Sequence, residues 1–302
     1  MISGVCERIN VNGVITPPDR ASIPALDRGF LYGDSVYETV RTYEGRLFRL
    51  RQHLDRLERS AVALGIDPRA VVVDPAGEVS RTLTEAGNEE SAVRIVLSRG
   101  AGAISYDPAD AGPPTVVIYV RPCPAIPDAW LREGVDIAIV EVLRNDRLAL
   151  DPAIKSSNLL NNLMAWREAR RMRVYEPILL SGDGHLTEGA SSNIFLVRDD
   201  RLLTPDPGSG LLVGITRDLV LNLARTDGIP VEERALLPED LRGADEAFIT
   251  STLKGILPVR RCDGWPIREG RPGPVTRRLI ALFGETIQAE TNRGSRPGSS
   301  RR

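Results

Sequence analysis

The chain has 302 residues, room for one large or two medium domains, with 42% hydrophobic and 26% charged residues, the balance of a soluble globular protein. Its net charge of −2 offers no electrostatic attraction to nucleic acid or to an anionic membrane. No apolar run reaches the ~18 residues that cross a bilayer, and residues 1–10 lack the basic-then-apolar layout of a signal peptide.

In chain order, Asn12-Gly13 within residues 8–15 predicts a β-hairpin. Residues 37–43, with β-branched side chains, read as a strand that Glu44-Gly45 turns into residues 46–50. Apolar side chains at 54, 57, 61 and 64 have helical spacing, so 51–64 reads as a helix stopped by Gly65. Residues 74–86 read as a second helix, and 92–98 and 115–120 as strands. These make a small α+β domain over residues 1–121. Three prolines between Arg121 and Pro127 stiffen the chain, which places an interdomain linker at 122–128.

Beyond it, residues 135–142 read as a strand, 159–171 as a helix, and 177–180 and 193–197 as strands about a turn at 182–184. A helix is expected at 216–224, strands at 246–250 and 258–261, and a closing helix at 274–288, which makes 129–288 the larger domain. The Gly/Ser/Arg-rich residues 289–302 are expected to be a disordered tail.

The three cysteines, Cys6, Cys123 and Cys262, are far apart, and the histidines are His53 and His185 alone. A zinc cluster, a disulfide framework and a three-histidine metal site are therefore not expected, and a reduced, cytoplasmic setting fits. Lysine occurs only at Lys155 and Lys254 in an arginine-rich chain. A lysine amine can deprotonate and attack a carbonyl, whereas guanidinium stays protonated. Lys155 lies in Asp-Pro-Ala-Ile-Lys-Ser-Ser-Asn-Leu-Leu, uncharged on its C-terminal side and just before an apolar helix. Such a setting favours the neutral amine; the plainer reading is a surface lysine at a helix start.

Gly214-Ile-Thr216 opens a helix, where free amides and a hydroxyl suit a phosphate, although threonine is also a common cap. Ile249-Thr-Ser-Thr252 ends a strand in hydroxyls, and Thr187-Glu-Gly-Ala-Ser-Ser-Asn193 is a polar loop that leaves room for a ring beside Glu188. Arg56 and Arg59 sit on the helix at 51–64 as candidate anion ligands or solvated charges.

Together these stretches resemble the class IV aminotransferases, the fold-type-IV enzymes of pyridoxal 5′-phosphate (PLP). The matching segments are residues 26–38, His53-Leu-Asp-Arg-Leu57, Ile154-Lys-Ser-Ser-Asn-Leu-Leu-Asn-Asn162, 187–193, Gly214-Ile-Thr-Arg217 and Thr250-Ser-Thr252. The resemblance implies a two-domain α+β fold, a small N-terminal domain beside a larger one with a barrel-like sheet and flanking helices. It implies that Lys155 holds PLP as a Schiff base and shuttles a proton, and that Glu188 keeps the pyridine nitrogen protonated. Arg56, Ile215, Thr216 and Thr252 are implied as phosphate ligands, and Tyr37 as an aromatic group facing substrate. A homodimer is implied as well.

The chain departs from each familiar subtype. Ala92-Val-Arg94 keeps the arginine but not the tyrosine of the branched-chain Tyr-x-Arg pattern, and Ser105 and Asp107 replace the Arg-x-His pair of D-amino acid enzymes. The expectation is an aminotransferase acting on an amino acid, of D-amino acid or branched-chain type, and a 2-oxo acid. Arg94, or Arg41 on the neighbouring strand, would hold the substrate carboxylate. The alternative is a lyase that releases pyruvate and 4-aminobenzoate from 4-amino-4-deoxychorismate; a non-catalytic binder of a phosphate ligand is the third reading.

Overall fold

The computed structural model describes residues 6–68 and 74–293. Among these residues the chain is α+β, with a six-stranded and a nine-stranded sheet. The first sheet contains β1 (Arg8–Val11), β2 (Val14–Thr16), β3 (Ser35–Tyr43), β4 (Arg46–Leu47), β5 (Ser91–Ser98) and β6 (Thr115–Pro122), in the order β2-β1-β6-β5-β3-β4. Asn12 and Gly13, both with positive φ, close the β1–β2 hairpin as expected. Helices α1 (Arg28–Tyr32), α2 (Leu50–Ala63) and α3 (Pro75–Ala86) accompany this sheet. The α2 and α3 faces bury Leu57, Ala61, Val79 and Ala86 against Val36, Val40, Val93 and Ile95. Asp74 starts α3 by accepting from the Gly77 amide at 2.9 Å.

The larger, curled half-barrel sheet contains β7 (Val135–Ile139), β8 (Glu176–Leu180), β9 (Leu186–Gly189), β10 (Asn193–Arg198), β11 (Arg201–Thr204), β12 (Val231–Glu233), β13 (Glu246–Ser251), β14 (Gly255–Cys262) and β15 (Trp265–Pro266). Its order is β12-β11-β10-β13-β14-β7-β8-β9, with β15 on β14. Helices α4 (Asp128–Glu133), α5 (Leu160–Met172), α6 (Ile215–Thr226), α7 (Pro238–Arg242) and α8 (Pro274–Arg293) flank it. Phe195 and Phe248 stack at 4.9 Å in the layer shared with α6 and α8.

Several expectations shift. Strand β6 runs through Pro122, which pairs with Ser91 at the strand's end. Helix α4 begins at Asp128, so the extended connector is residues 123–127. The stretch 187–189, expected as loop, is strand: Leu186 and Gly189 pair with Leu180 and Ile178 of β8. Strand β7 ends at Ile139, and α8 continues to Arg293, which takes residues 289–293 out of the expected tail. Residues 294–302 lie outside the described residues.

The segment before α5 docks on β3 through main-chain bonds. The Tyr37 amide donates to the Lys155 carbonyl, and the Ser157 amide to the Ser35 carbonyl, each at 2.9 Å. The Lys155 amide donates to Ser60 Oγ on α2 at 3.2 Å. The lysine is therefore held by its backbone, and its side chain is left to act.

Candidate active site

A cavity of about 470 Å³ is lined by Tyr37, Arg56, Arg94, Lys155, Glu188, Ile215, Thr216 and Thr252. Residues from both sheets, α2, α6 and the loops between them thus converge on one space. Lys155 Nζ lies 3.4 Å from the Tyr37 hydroxyl and 4.4 Å from the centre of its ring.

Glu188 projects from β9 and is 6% exposed. Its Oε1 accepts from Arg144 Nε at 2.9 Å, and its Oε2 from the Leu212 amide at 3.1 Å and Asn193 Nδ2 at 3.4 Å. Burial pushes this carboxyl above its ordinary value, opposed by the Arg144 charge and the Leu212 amide. Arg144, which also donates to Asn161 Oδ1 at 3.1 Å, is a site residue that the sequence reading misses. In sequence it belongs to a charged stretch, Arg144-Asn-Asp-Arg147, that reads as solvated loop. The one available signal is chemical: a carboxylate buried beside a ligand needs a cation behind it.

Arg56 is oriented by Glu38. Its Nε and Nη2 donate to the two carboxylate oxygens at 2.6 and 2.9 Å, and its Nη1 donates to the Val213 carbonyl at 2.8 Å. Glu38 is fully buried and also meets His53 Nδ1 at 2.7 Å. Burial acts to raise the Glu38 carboxyl, but the hydrogen bonds from His53 and Arg56 overcome it and hold the group at about 2. The guanidinium is thereby fixed against β3 with donors remaining on both terminal nitrogens.

Opposite, α6 begins at Ile215 with Gly214 as its cap and no side-chain cap bond. The opening amides of a helix have no intrahelical acceptor and carry partial positive charge, which suits a phosphate. Thr250 Oγ1, on the same cavity wall, is buried with no hydrogen-bond partner among the described residues. An orphaned hydroxyl, an uncapped helix start, Thr252 and a pre-oriented arginine fit the phosphate of PLP, and Glu188 fits its ring nitrogen.

Gly214 is required for this cradle. A Cβ there would clash with Oδ1 of Asn193, the residue that ties Leu212 and Glu188 together. Gly214→Ala is expected to weaken PLP binding by about tenfold, the scale of overpacking costs; an absorbance titration with PLP checks this.

Tyr37 and Arg94 form the neighbouring wall. The Arg94 guanidinium carbon sits 3.9 Å above the Tyr37 ring centre, and among the described residues no carboxylate pairs with it. Arg41 is placed differently. Strand alternation puts it on the face of Tyr37 and Thr39, but its side chain stacks on Tyr43 at 4.1 Å and donates to the Leu253 carbonyl at 2.7 Å. It braces the β13–β14 turn and is not among the residues that line the cavity.

The chain as a whole is similar to several known proteins. The family described as Amino-transferase class IV matches residues 35–262. A Methanocaldococcus jannaschii protein, named provisionally a branched-chain-amino-acid aminotransferase, is 37% identical over 276 residues, covering 91% of this chain and 95% of its own. A D-alanine aminotransferase of Staphylococcus aureus is 34% identical over 287 residues, covering 94% and 99%. Among solved structures, a T.th. branched-chain amino acid aminotransferase with pyridoxamine 5′-phosphate superposes with a TM-score of 0.86 at 28% identity, covering 96% of this chain and 95% of that one.

Proposed function

The chain belongs to the class IV aminotransferases, and from that premise we propose that it holds PLP on Lys155 and moves an amino group between an amino acid, of the D-amino acid or branched-chain type, and a 2-oxo acid. The observation that carries this reading is the meeting of Lys155, Glu188 and the α6 helix start in one cavity. PLP, when bound, supplies an electron sink for the carbon that loses its proton.

The chain's own groups do the rest. The Lys155 amine carries the proton, and the Tyr37 hydroxyl at 3.4 Å orients that amine. Glu188 keeps a proton on the ring nitrogen, with Arg144 behind it as counter-ion. Arg56, Thr252, the orphaned Thr250 hydroxyl and the amides at Ile215 and Thr216 hold the phosphate. Arg94, lacking a carboxylate of its own, receives that of the substrate. Arg94→Met is expected to raise KM for amino acids about 10- to 100-fold, the worth of a charged hydrogen bond, with kcat falling much less. An unchanged KM removes Arg94 from the substrate site.

The relatives named above are aminotransferases, which favours amino transfer over elimination from 4-amino-4-deoxychorismate. A panel of D- and L-amino acids with 2-oxoglutarate or pyruvate tests this. Keto acid formed in proportion to an acceptor supports the reading; pyruvate and 4-aminobenzoate from aminodeoxychorismate alone overturn it.

A homodimer is part of this reading, and exposed apolar side chains support it. Leu160, Leu163 and Met164 share one face at the start of α5 and are 69%, 58% and 48% exposed, and Phe30 on α1 is 70% exposed. A second copy covering these side chains accounts for their retention; light scattering of the purified protein measures it. Among the described residues no helix is long and apolar enough to cross a membrane.

A further inference from the structure

Glu176 opens β8, is 1% exposed and is not among the residues that line the cavity. Among the described residues no arginine or lysine pairs with it. A buried carboxyl without a cation is costly unless hydrogen bonds surround it, and here one turn supplies them. Glu176 Oε1 accepts from the Ser191 amide at 2.7 Å and from the Ser192 hydroxyl at 2.9 Å. The Ser191 hydroxyl lies 3.1 and 3.2 Å from the two carboxyl oxygens.

That turn separates two groups of the catalytic cavity. Gly189 ends β9, and its amide donates to the Ser192 carbonyl at 2.7 Å. A Cβ at Gly189 would lie 2.6 Å from Glu176 Oε1 and clash with Ser192 Oγ, so the glycine lets the turn close down on the carboxyl. Glu188 immediately precedes the turn and Asn193 immediately follows it. The two meet at the cavity wall, where Asn193 Nδ2 donates to Glu188 Oε2 at 3.4 Å. Ser191 and Ser192 line the same wall. Fastening the turn therefore fixes the spacing of Glu188 and Asn193.

Burial pushes the Glu176 carboxyl up to about 7, against the bonds from Ser191 and Ser192, and the nearby Glu188 charge adds to the rise. The position thus tolerates a neutral group of the same shape, provided that it still accepts from the turn.

We propose that Glu176 is a positioning residue for Glu188: by fastening the 189–192 turn it holds the ring-nitrogen carboxylate in place. The inference rests on the role given to Glu188 above, and its first readout needs no turnover. The protein is loaded with PLP labelled with nitrogen-15 in the ring, and the resonance of that nitrogen is recorded at rest. The unsubstituted protein is expected to show a protonated pyridine. In Glu176→Ala the resonance moves toward that of an unprotonated one. Its kcat falls about 10- to 100-fold, the scale of a small misplacement, while KM for the amino acid is unchanged, the pattern of an interaction lost in the transition state. Glu176→Gln keeps the protonated resonance and most of kcat. If Glu176→Ala does not fold, the double variant Ser191→Ala/Ser192→Ala carries the test: it removes the hydroxyl donors, leaves Glu176 and the Ser191 amide, and moves the resonance in the same direction. A resonance that neither Glu176→Ala nor the double variant moves, a Glu176→Gln protein as impaired as Glu176→Ala, or an unprotonated nitrogen in the unsubstituted protein overturns the proposal. The expected resonance differences in a protein that transfers no amino group in the substrate panel uphold Glu176 and count against the amino-transfer reading alone.

Discussion

A Lys155→Ala protein is expected to transfer amino groups about 100- to 10,000-fold more slowly than the unsubstituted chain, the range of a lost general acid–base group, and to hold PLP without a covalent bond. The geometry makes this a chemical loss and not a structural one. The lysine segment is fixed by main-chain bonds, Tyr37 N–H to Lys155 C=O and Lys155 N–H to Ser60 Oγ, and both survive truncation of the side chain. The phosphate cradle lies on α2, α6 and β13 and is untouched. Lys155→Arg sharpens the comparison: it restores the charge but not an amine that can attack a carbonyl. Single-turnover absorbance with an amino acid measures the loss. A Lys155→Arg protein with near-normal turnover would show that charge alone suffices.

Glu188→Gln is the second large effect. The amide keeps the shape but cannot hold a proton on a ring nitrogen as a carboxylate does. Turnover is expected to fall about 100- to 1,000-fold, the scale of one lost electrostatic group in an active site. A stability cost accompanies it. Arg144 and Glu188 are 10% and 7% exposed, and removing one partner of a buried pair costs about 3 kcal/mol because the other charge is left uncompensated. Adding Arg144→Met to Glu188→Gln separates the two effects. Thermal unfolding is expected to recover most of the lost stability, while turnover stays low. If the double variant regains turnover, Glu188 acts through Arg144 and not on the cofactor.

Much of this is readable in the sequence where the signal is local. Asn12-Gly13 dictates a tight hairpin by its backbone preferences. The spacing 54, 57, 61, 64 places α2 with His53 and Arg56 on its buried face. Lys155 stands out because so few lysines compete with it. What escapes depends on partners distant in sequence. Strand β9 looks like a polar loop, because its extended form comes from pairing with β8 and its polar side chains are satisfied there, as when Thr187 Oγ1 donates to Leu179 C=O at 2.9 Å. Arg144 looks like surface charge until the fold brings Glu188 to it. Arg41 obeys the alternation that suggests it, yet a carbonyl 212 residues away captures it. The short α1 and α4 are too brief for a periodic signal.

Borohydride tests directly whether Lys155 carries the cofactor. The protein is loaded with PLP, reduced, digested and mapped by mass spectrometry. A phosphopyridoxyl group on the peptide containing Lys155, absent from the Lys155→Ala protein, is the predicted result. A tag found on Lys254 instead, or no tag on a protein that takes up PLP, would contradict it.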